Sequence, residues 1–274
     1  MDWAVEVEGL CHTYPDGTIA LRNVNLRLPK GRKVAILGPN GAGKSTFVLH
    51  LNALFLPQRG TVKVAGIEVK KGNEMAVRQK VGLVFQDPDD QVFSPTVWDD
   101  VAFGPENLGL PAEEVERRVE RSLQAVQMLS YARKPPQHLS YGQKKRVAIA
   151  GVLAMEPEII VLDEPLAYLD PAGKRELTEI LNLLHREGTT VVVATHDVDF
   201  AVEWAEEVVV FKEGSVLRHG DRRLLTDPAV VEEASLDYPT VWKLFFQAGI
   251  SGVDPLPLTI DEGVAFLKKH LRGK

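Results

Sequence analysis

The stretch "GPNGAGKST", Gly38 to Thr46, decides how the rest of this chain is read. It follows the apolar run "KVAIL" (33–37) and opens an apolar-periodic segment, so it has both the pattern G-x-x-x-x-G-K-[ST] and the strand-turn-helix setting that the pattern requires. The glycines Gly38, Gly41 and Gly43 let the backbone turn so that successive N–H groups point inward at phosphate oxygens, and the following helix adds its positive end. In such a loop Lys44 reaches the β- and γ-phosphates of a nucleotide and the Ser45 hydroxyl ligates Mg²⁺, while Pro39, Asn40, Ala42 and Thr46 complete the cradle. An ordinary glycine-rich turn is the competing explanation, and the strand before and helix after weigh against it.

Working outward, "KVAILG" (33–38), "VGLVFQ" (81–86), "IIVLDE" (159–164), "TVVVATHD" (190–197) and "EVVVFKEG" (207–214) read as buried strands ending in polar or glycine-rich residues. Helix-length segments at 44–55, 113–130, 141–155, 171–187 and 197–206 lie between them, which predicts an α/β layer fold with a largely parallel sheet. In 113–130 the residues Val115, Val119, Leu123 and Val126 recur at helical spacing. The first 30 residues differ: "AVEVEGL" and "LRNVNLRL" alternate apolar and polar, as strands of an antiparallel flap do. After Gly220, Thr259 and Glu262 form a capping box ahead of apolar positions 260, 264, 267 and 271, which predicts a small helical C-terminal extension.

Composition narrows the function classes. A formal charge of -6 argues against a general nucleic-acid binder, so phosphate should be bound locally. The single cysteine, Cys11, forms no internal disulfide, and "MDWAVEVEG" lacks the basic and apolar regions of a signal peptide; both point to a reduced, cytoplasmic protein. No uncharged apolar run approaches the roughly 20 residues that span a bilayer. If a membrane matters here, a partner supplies it.

A phosphate loop alone does not choose among GTPases, kinases and ATPases. "IIVLDEP" (159–165) delivers two adjacent carboxylates at the end of a buried strand, which is unfavourable without a counter-charge. Asp163 would hold Mg²⁺ through water and Glu164 would orient or deprotonate the attacking water. A strand running out into a solvated acidic turn is the plainer alternative, and the phosphate loop reverses its weight. No N-K-x-D motif occurs, which lowers the GTPase reading.

With "LSYGQ" (139–143) added, residues 1–220 resemble the nucleotide-binding subunit of ABC transporters, with the motifs in that family's order. The resemblance implies a P-loop NTPase fold of RecA type: a mostly parallel core, an N-terminal antiparallel β subdomain and a helical signature subdomain at about 87–155, with 221–274 as the helical extension. It implies ATP and Mg²⁺ as ligands. It also implies a clasped pair of chains, in which Ser140, Gly142, Gln143 and Asp170 of one subunit meet the ATP seated on Lys44 of the other. Gln86 is similar to the glutamine that contacts Mg²⁺ and the attacking water, His196 to the histidine at the γ-phosphate, and Tyr14 to the aromatic that stacks on adenine. The family more often has glycine at position 141, and usually threonine and a small residue where this chain has Leu166 and Tyr168. Tyrosine at a first helical turn needs no positive φ, so the fold tolerates Tyr141.

A narrower resemblance lies in "VFQDPDDQVFSPTVWDDVAFGPENLGL" (84–110) and "LDYPTVWKLF" (236–245), which are similar to the ATPase subunits of energy-coupling-factor importers and their cobalt or nickel relatives. That likeness implies a second ATPase subunit, a transmembrane coupling protein and a substrate-binding membrane component as partners, with the chain peripheral at the cytoplasmic face of the membrane. It implies import of a transition-metal ion or vitamin. Phe93, Val97, Trp98, Val101 and Phe103, beside Asp87, Asp89, Asp90, Asp99 and Asp100, suit a groove for a basic amphipathic helix, with a subdomain core behind a solvated acidic rim as the alternative. For the function, the alternative is the ATPase of a different transporter class, or a mechanical, non-transport ATPase of DNA repair or translation. Repair members would carry a long coiled coil before the signature, and translation members two cassettes in one chain.

Overall fold

The structure, a computed structural model, describes residues 2–250 and 255–271. Strands β1 (Trp3–Thr13) and β2 (Ile19–Pro29) pair antiparallel, and β3 (Lys33–Leu37) leads through the glycine-rich loop into α1 (Lys44–Leu51). The chain then returns through β4 (Arg59–Val64) and β5 (Ile67–Glu68), completing an antiparallel sheet in the order β2-β1-β4-β5. The flap expected from the first 30 residues is therefore only half of this sheet. Its other half comes from "RGTVKVAGIE", where Val62 and Val64 are buried between exposed Thr61 and Lys63, the same period of two.

The remaining chain builds the second sheet and its cover: α2 (Glu74–Lys80), β6 (Val81–Val84), α3 (Val97–Asn107), α4 (Ala112–Ala125), α5 (Tyr141–Leu153), β7 (Ile159–Asp163), α6 (Pro171–Arg186), β8 (Thr190–Thr195), α7 (Val198–Trp204), β9 (Glu207–Lys212) and β10 (Ser215–Gly220). The order is β10-β9-β3-β8-β7-β6, parallel throughout except for β10, which is antiparallel to β9. Alternate residues of the parallel strands enter two separate cores. Val34 and Ile36 pack with the antiparallel sheet and α1, whereas Ala35 and Leu37 pack toward the helices α3 to α7. Burial on both faces explains why these strands read as unbroken apolar runs rather than alternating ones.

On α4, Val115, Val119 and Leu123 are buried as their spacing predicts; Val126 is buried too, just past the helix end. Each such side chain contributes about 1.5–3 kcal/mol by leaving water. Beyond β10 lie α8 (Pro228–Glu233), α9 (Thr240–Gln247) and α10 (Ile260–Leu271). The Thr259 hydroxyl accepts from Glu262 N at 3.2 Å, one half of the expected capping box. The Glu262 carboxylate turns elsewhere, accepting from Leu258 N at 2.8 Å and from Arg222 at 2.7 Å. Helix α10 meets α9 through Gly263 and Phe266 against Phe245, so Ile260, Val264 and Leu267 face outward; the side chain of Leu271 lies outside the described residues.

Candidate active site

Five parallel strands end at one edge of the second sheet, and the loops after four of them, β3, β6, β7 and β8, carry the motifs. This is where an open α/β sheet places its ligand crevice. After β3 the chain enters the glycine-rich loop. Gly43 caps α1 at φ 98°, and a Cβ there would stand 2.6 Å from the Ala20 carbonyl oxygen. A side chain at Gly38 would meet the Phe211 carbonyl oxygen at 2.5 Å. Both glycines are required by close backbone approach as well as by conformation.

Lys44, nearly buried, donates from Nζ to the Gly38 carbonyl at 2.7 Å and to Pro39 at 3.2 Å, and the same nitrogen lies 4.0 Å from Glu164 Oε1. Burial pushes the Lys44 ammonium below its usual range, while Glu164 and Asp163 act in the opposite sense. Asp163 ends β7. Burial raises its carboxyl above the usual carboxylate range against the Ser45 hydroxyl and the Lys44 charge, which act to lower it, and its Oδ1 is buried without a hydrogen-bond partner.

Glu164 follows at φ 42°, a region that residues with a side chain seldom occupy. Its N–H extends the ladder to the Ala194 carbonyl at 2.8 Å, which fixes where the carboxylate leaves the backbone. That carboxylate accepts from two neighbours. His196 Nδ1 is 2.9 Å from Oε1, and Thr195 Oγ1 donates to Oε2 at 3.2 Å. The result is a half-enclosed arrangement of one ammonium, two carboxylates and one imidazole. Such a group can bind an anion and activate a water beside it.

A cleft of about 700 Å³ is lined by Tyr14, Asn40, Gly41, Ala42, Gly43, Lys44, Ser45, Thr46, Gln86, Asp163, Glu164 and His196. Gly38 and Pro39 stand behind it, reaching the site only through their carbonyls on Lys44. Tyr14 is braced edge-on by His12 at 5.0 Å and Phe55 at 5.9 Å, and its hydroxyl is 2.9 Å from Thr46 Oγ1. Ser140, Gly142, Gln143 and Asp170 are not in this cleft. They line a separate hollow of about 380 Å³, together with Tyr141 and Tyr168. There Ser140 caps α5 by accepting from Gln143 N at 3.3 Å, and the Gln143 side chain accepts from Ser140 N at 3.0 Å, a complete capping box. Tyr141 sits at the first helical position, as expected from its backbone requirements.

The apolar groove expected around 93–103 divides. Val97 and Val101 belong to the core, and Trp98 is partly buried against it with the Arg133 guanidinium 5.9 Å from its ring. What remains outside is Phe93 and Phe103, 67% and 50% exposed, in an edge-to-face pair at 5.1 Å. Helical spacing accounts for the difference, since 97 and 101 fall on the inward face of α3 while 103 does not. Asp100 is committed to the Phe93 and Ser94 N–H groups at 3.3 and 3.0 Å, and burial raises its carboxyl.

Three contributors to the site lie outside the expected set. Thr195 orients Glu164. Gln91 braces the loop bearing Gln86, donating to the Leu83 carbonyl at 3.1 Å and accepting from Phe85 N at 3.1 Å. Lys145, 1% exposed, donates to the Phe85 carbonyl at 3.1 Å and also to that of Gln86. Its signal was present in the sequence: Lys145 precedes buried Ile149 by four residues, which places a charge on an apolar helix face.

Residues 21–167 match the family model described as ABC transporter. The energy-coupling factor transporter ATP-binding protein EcfA of Carboxydothermus hydrogenoformans is 52% identical over 99% of this chain and 100% of its own length. EcfA of Methanococcus maripaludis is 51% identical over 86% of each chain. Among solved structures, cbiO1 from Clostridium perfringens, part of the ABC transporter complex cbiONQ, superposes with a TM-score of 0.77 at 38% identity, over 91% of this chain and 100% of that one. A dimeric ATP-binding cassette in a post-hydrolysis state, bound to ADP and Pi, matches with a TM-score of 0.72 at 32% identity, over 80% of this chain and 99% of that one.

Proposed function

Since the chain belongs to the ABC transporter ATP-binding proteins, and among them to those of energy-coupling factor transporters, we propose that ATP is held over the loop Gly38 to Thr46 and cleaved beside Glu164. The chain is the ATPase of an importer, and ATP hydrolysis coupled to transport is its activity. The placement of the Glu164 carboxylate carries the site assignment. It is aimed by His196 and Thr195 and lies within Coulombic reach of Lys44, so a water at its free lone pairs sits next to the place where phosphate binds. Lys44 leaves the Gly38 and Pro39 carbonyls for phosphate oxygens. Tyr14 covers the adenine, and His196 and Gln86 meet the γ-phosphate end.

The donor set beside Lys44 fits Mg²⁺: the Ser45 hydroxyl, the Gln86 amide and Asp163, whose Oδ1 has no protein partner, are all hard oxygens. Bound there, Mg²⁺ would neutralise developing charge on the β- and γ-phosphates. Asp163, with its carboxyl raised by burial, holds its charge more readily once a cation is near.

Two chains complete the reaction. Ser140, Gly142, Gln143 and Asp170 line a hollow apart from their own nucleotide cleft, which supports the reading that they serve the ATP of a second subunit. The N–H groups at the start of α5 supply the anion-binding end of that contact. Division into an ATPase domain at 1–220, with a helical subdomain at about 87–155, and an extension at 221–274 belongs to the same reading. So does a peripheral position at the cytoplasmic face, where the exposed Phe93–Phe103 pair and its acidic rim would receive a basic helix of a transmembrane coupling protein. Among the described residues no helix is long and apolar enough to cross a membrane. The solute, a transition-metal ion or vitamin, would be taken up by a separate substrate-binding membrane component. ATP binding and phosphate release by Lys44→Ala test the site: loss of both is expected, and wild-type affinity in that variant would overturn it.

A further inference from the structure

Tyr141 joins three segments that are distant in sequence. Its hydroxyl donates to the Gln86 carbonyl at 3.0 Å across 55 residues, and its ring meets that of Tyr168 edge-to-face at 5.8 Å and 81°. One helical turn on, Lys145 donates to the same Gln86 carbonyl and lies 5.8 Å from the Tyr141 ring centroid. The Gln86 carbonyl therefore receives two donors from one face of α5, and Gln91 braces the same loop through Leu83 and Phe85. Lys144 adds an ion pair to Asp89 at 2.5 Å.

Tyr168 is held in an unusual state. Its φ is 62°, a conformation that side-chain-bearing residues rarely adopt, and it is 81% exposed. Residues around it line both the nucleotide cleft and the hollow of Ser140, and Tyr168 itself borders both. A strained, exposed aromatic persists where its surroundings fix it. In this chain the ring of Tyr141 is what it meets.

Resting on the ATPase reading above, we propose that Tyr141 is a positioning residue that ties the Gln86 backbone to the start of α5 and, through Tyr168, to the segment before Asp170. A shift of Gln86 toward nucleotide is then carried to the surface that presents Ser140 and Gly142 to a second subunit. The hydroxyl makes the tie to Gln86 and the ring makes the tie to Tyr168, so the two halves separate by substitution. Glycine at position 141 would provide neither.

The test uses the full-length chain and Tyr141→Phe, which keeps the ring and removes one hydroxyl. Hydrogen exchange without nucleotide should become roughly three- to tenfold faster at the amides of residues 85–91, as expected for one lost hydrogen bond on a local opening. Steady-state hydrolysis should show kcat reduced roughly threefold or more with KM for ATP within twofold, because the tie places Gln86 rather than binding ATP. Unchanged exchange in that segment overturns the proposal, as does unchanged kcat or a rise in KM that accounts for the loss. Glu164→Gln separates the two readings. Wild-type turnover in that variant would defeat the base assignment, whereas the exchange experiment, run without ATP, does not depend on that assignment.

Discussion

Lys145→Met offers a quantitative check on how the signature helix grips the Gln86 loop. The ammonium is almost fully removed from solvent, and burial pushes its pKa from 10.5 down to about 8, opposed by Asp87, Asp163 and Glu164. Between about pH 8 and 10.5 the unfolded chain therefore binds more protons at this residue than the native chain does, and stability rises with pH. The stabilisation is complete above the unfolded pKa and is lost as pH falls through the folded one. At about 1.4 kcal/mol per unit, the shift amounts to roughly 3 kcal/mol in all, of which about 2 kcal/mol falls between pH 7.5 and 9.5. Methionine has nearly the same length and no proton. Denaturant unfolding of both proteins at the two pH values should show the wild type gaining about 2 kcal/mol on the variant as pH rises, with other titrating groups cancelling in the difference. Parallel pH dependence would refute the argument, since it would mean that burial does not depress the Lys145 pKa in the folded chain.

Two further outcomes follow from the placement of the motifs. Lys44→Ala and Ser140→Arg should each abolish turnover in a homogeneous dimer, yet mixing them should restore one working site per mixed dimer, because one interface collects both lesions and the other none; recovery is read as phosphate release against mixing ratio, and unimpaired single variants would defeat the clasped arrangement. Phe93→Ala with Phe103→Ala should weaken association with the membrane partner by about 2 kcal/mol or more per ring while leaving soluble ATP affinity unchanged, and pull-down at wild-type level would show that the pair is only surface packing.

The parts of the site legible in the sequence are those that local geometry fixes. "GPNGAGKST", Glu164, Gln86 and His196 each follow a buried apolar strand and Asp163 ends one, and parallel strands of one sheet bring their ends to one edge, so reading each motif on its strand was enough to gather them. The N-terminal flap was half legible. The strands at 59–68 are short, and their pairing to β1 closes across some 50 residues that no local pattern spans. The acidic neighbours of Val97, Trp98 and Val101 leave the sequence open between a surface groove and a subdomain core, and helical phase decides it by turning them inward. The hydroxyl of Tyr141 on the Gln86 carbonyl was beyond sequence pattern altogether, because its acceptor is backbone and carries no residue signature.

Steady-state phosphate release by Glu164→Gln tests the central claim most directly. Glutamine keeps the size of the side chain and an oxygen that can accept from His196 or Thr195, but removes the charge that draws a proton from water, so the structure around it should persist. The account predicts that the variant binds Mg²⁺-ATP and turns it over about 10²- to 10⁴-fold more slowly than wild type. Turnover at the wild-type rate would contradict it.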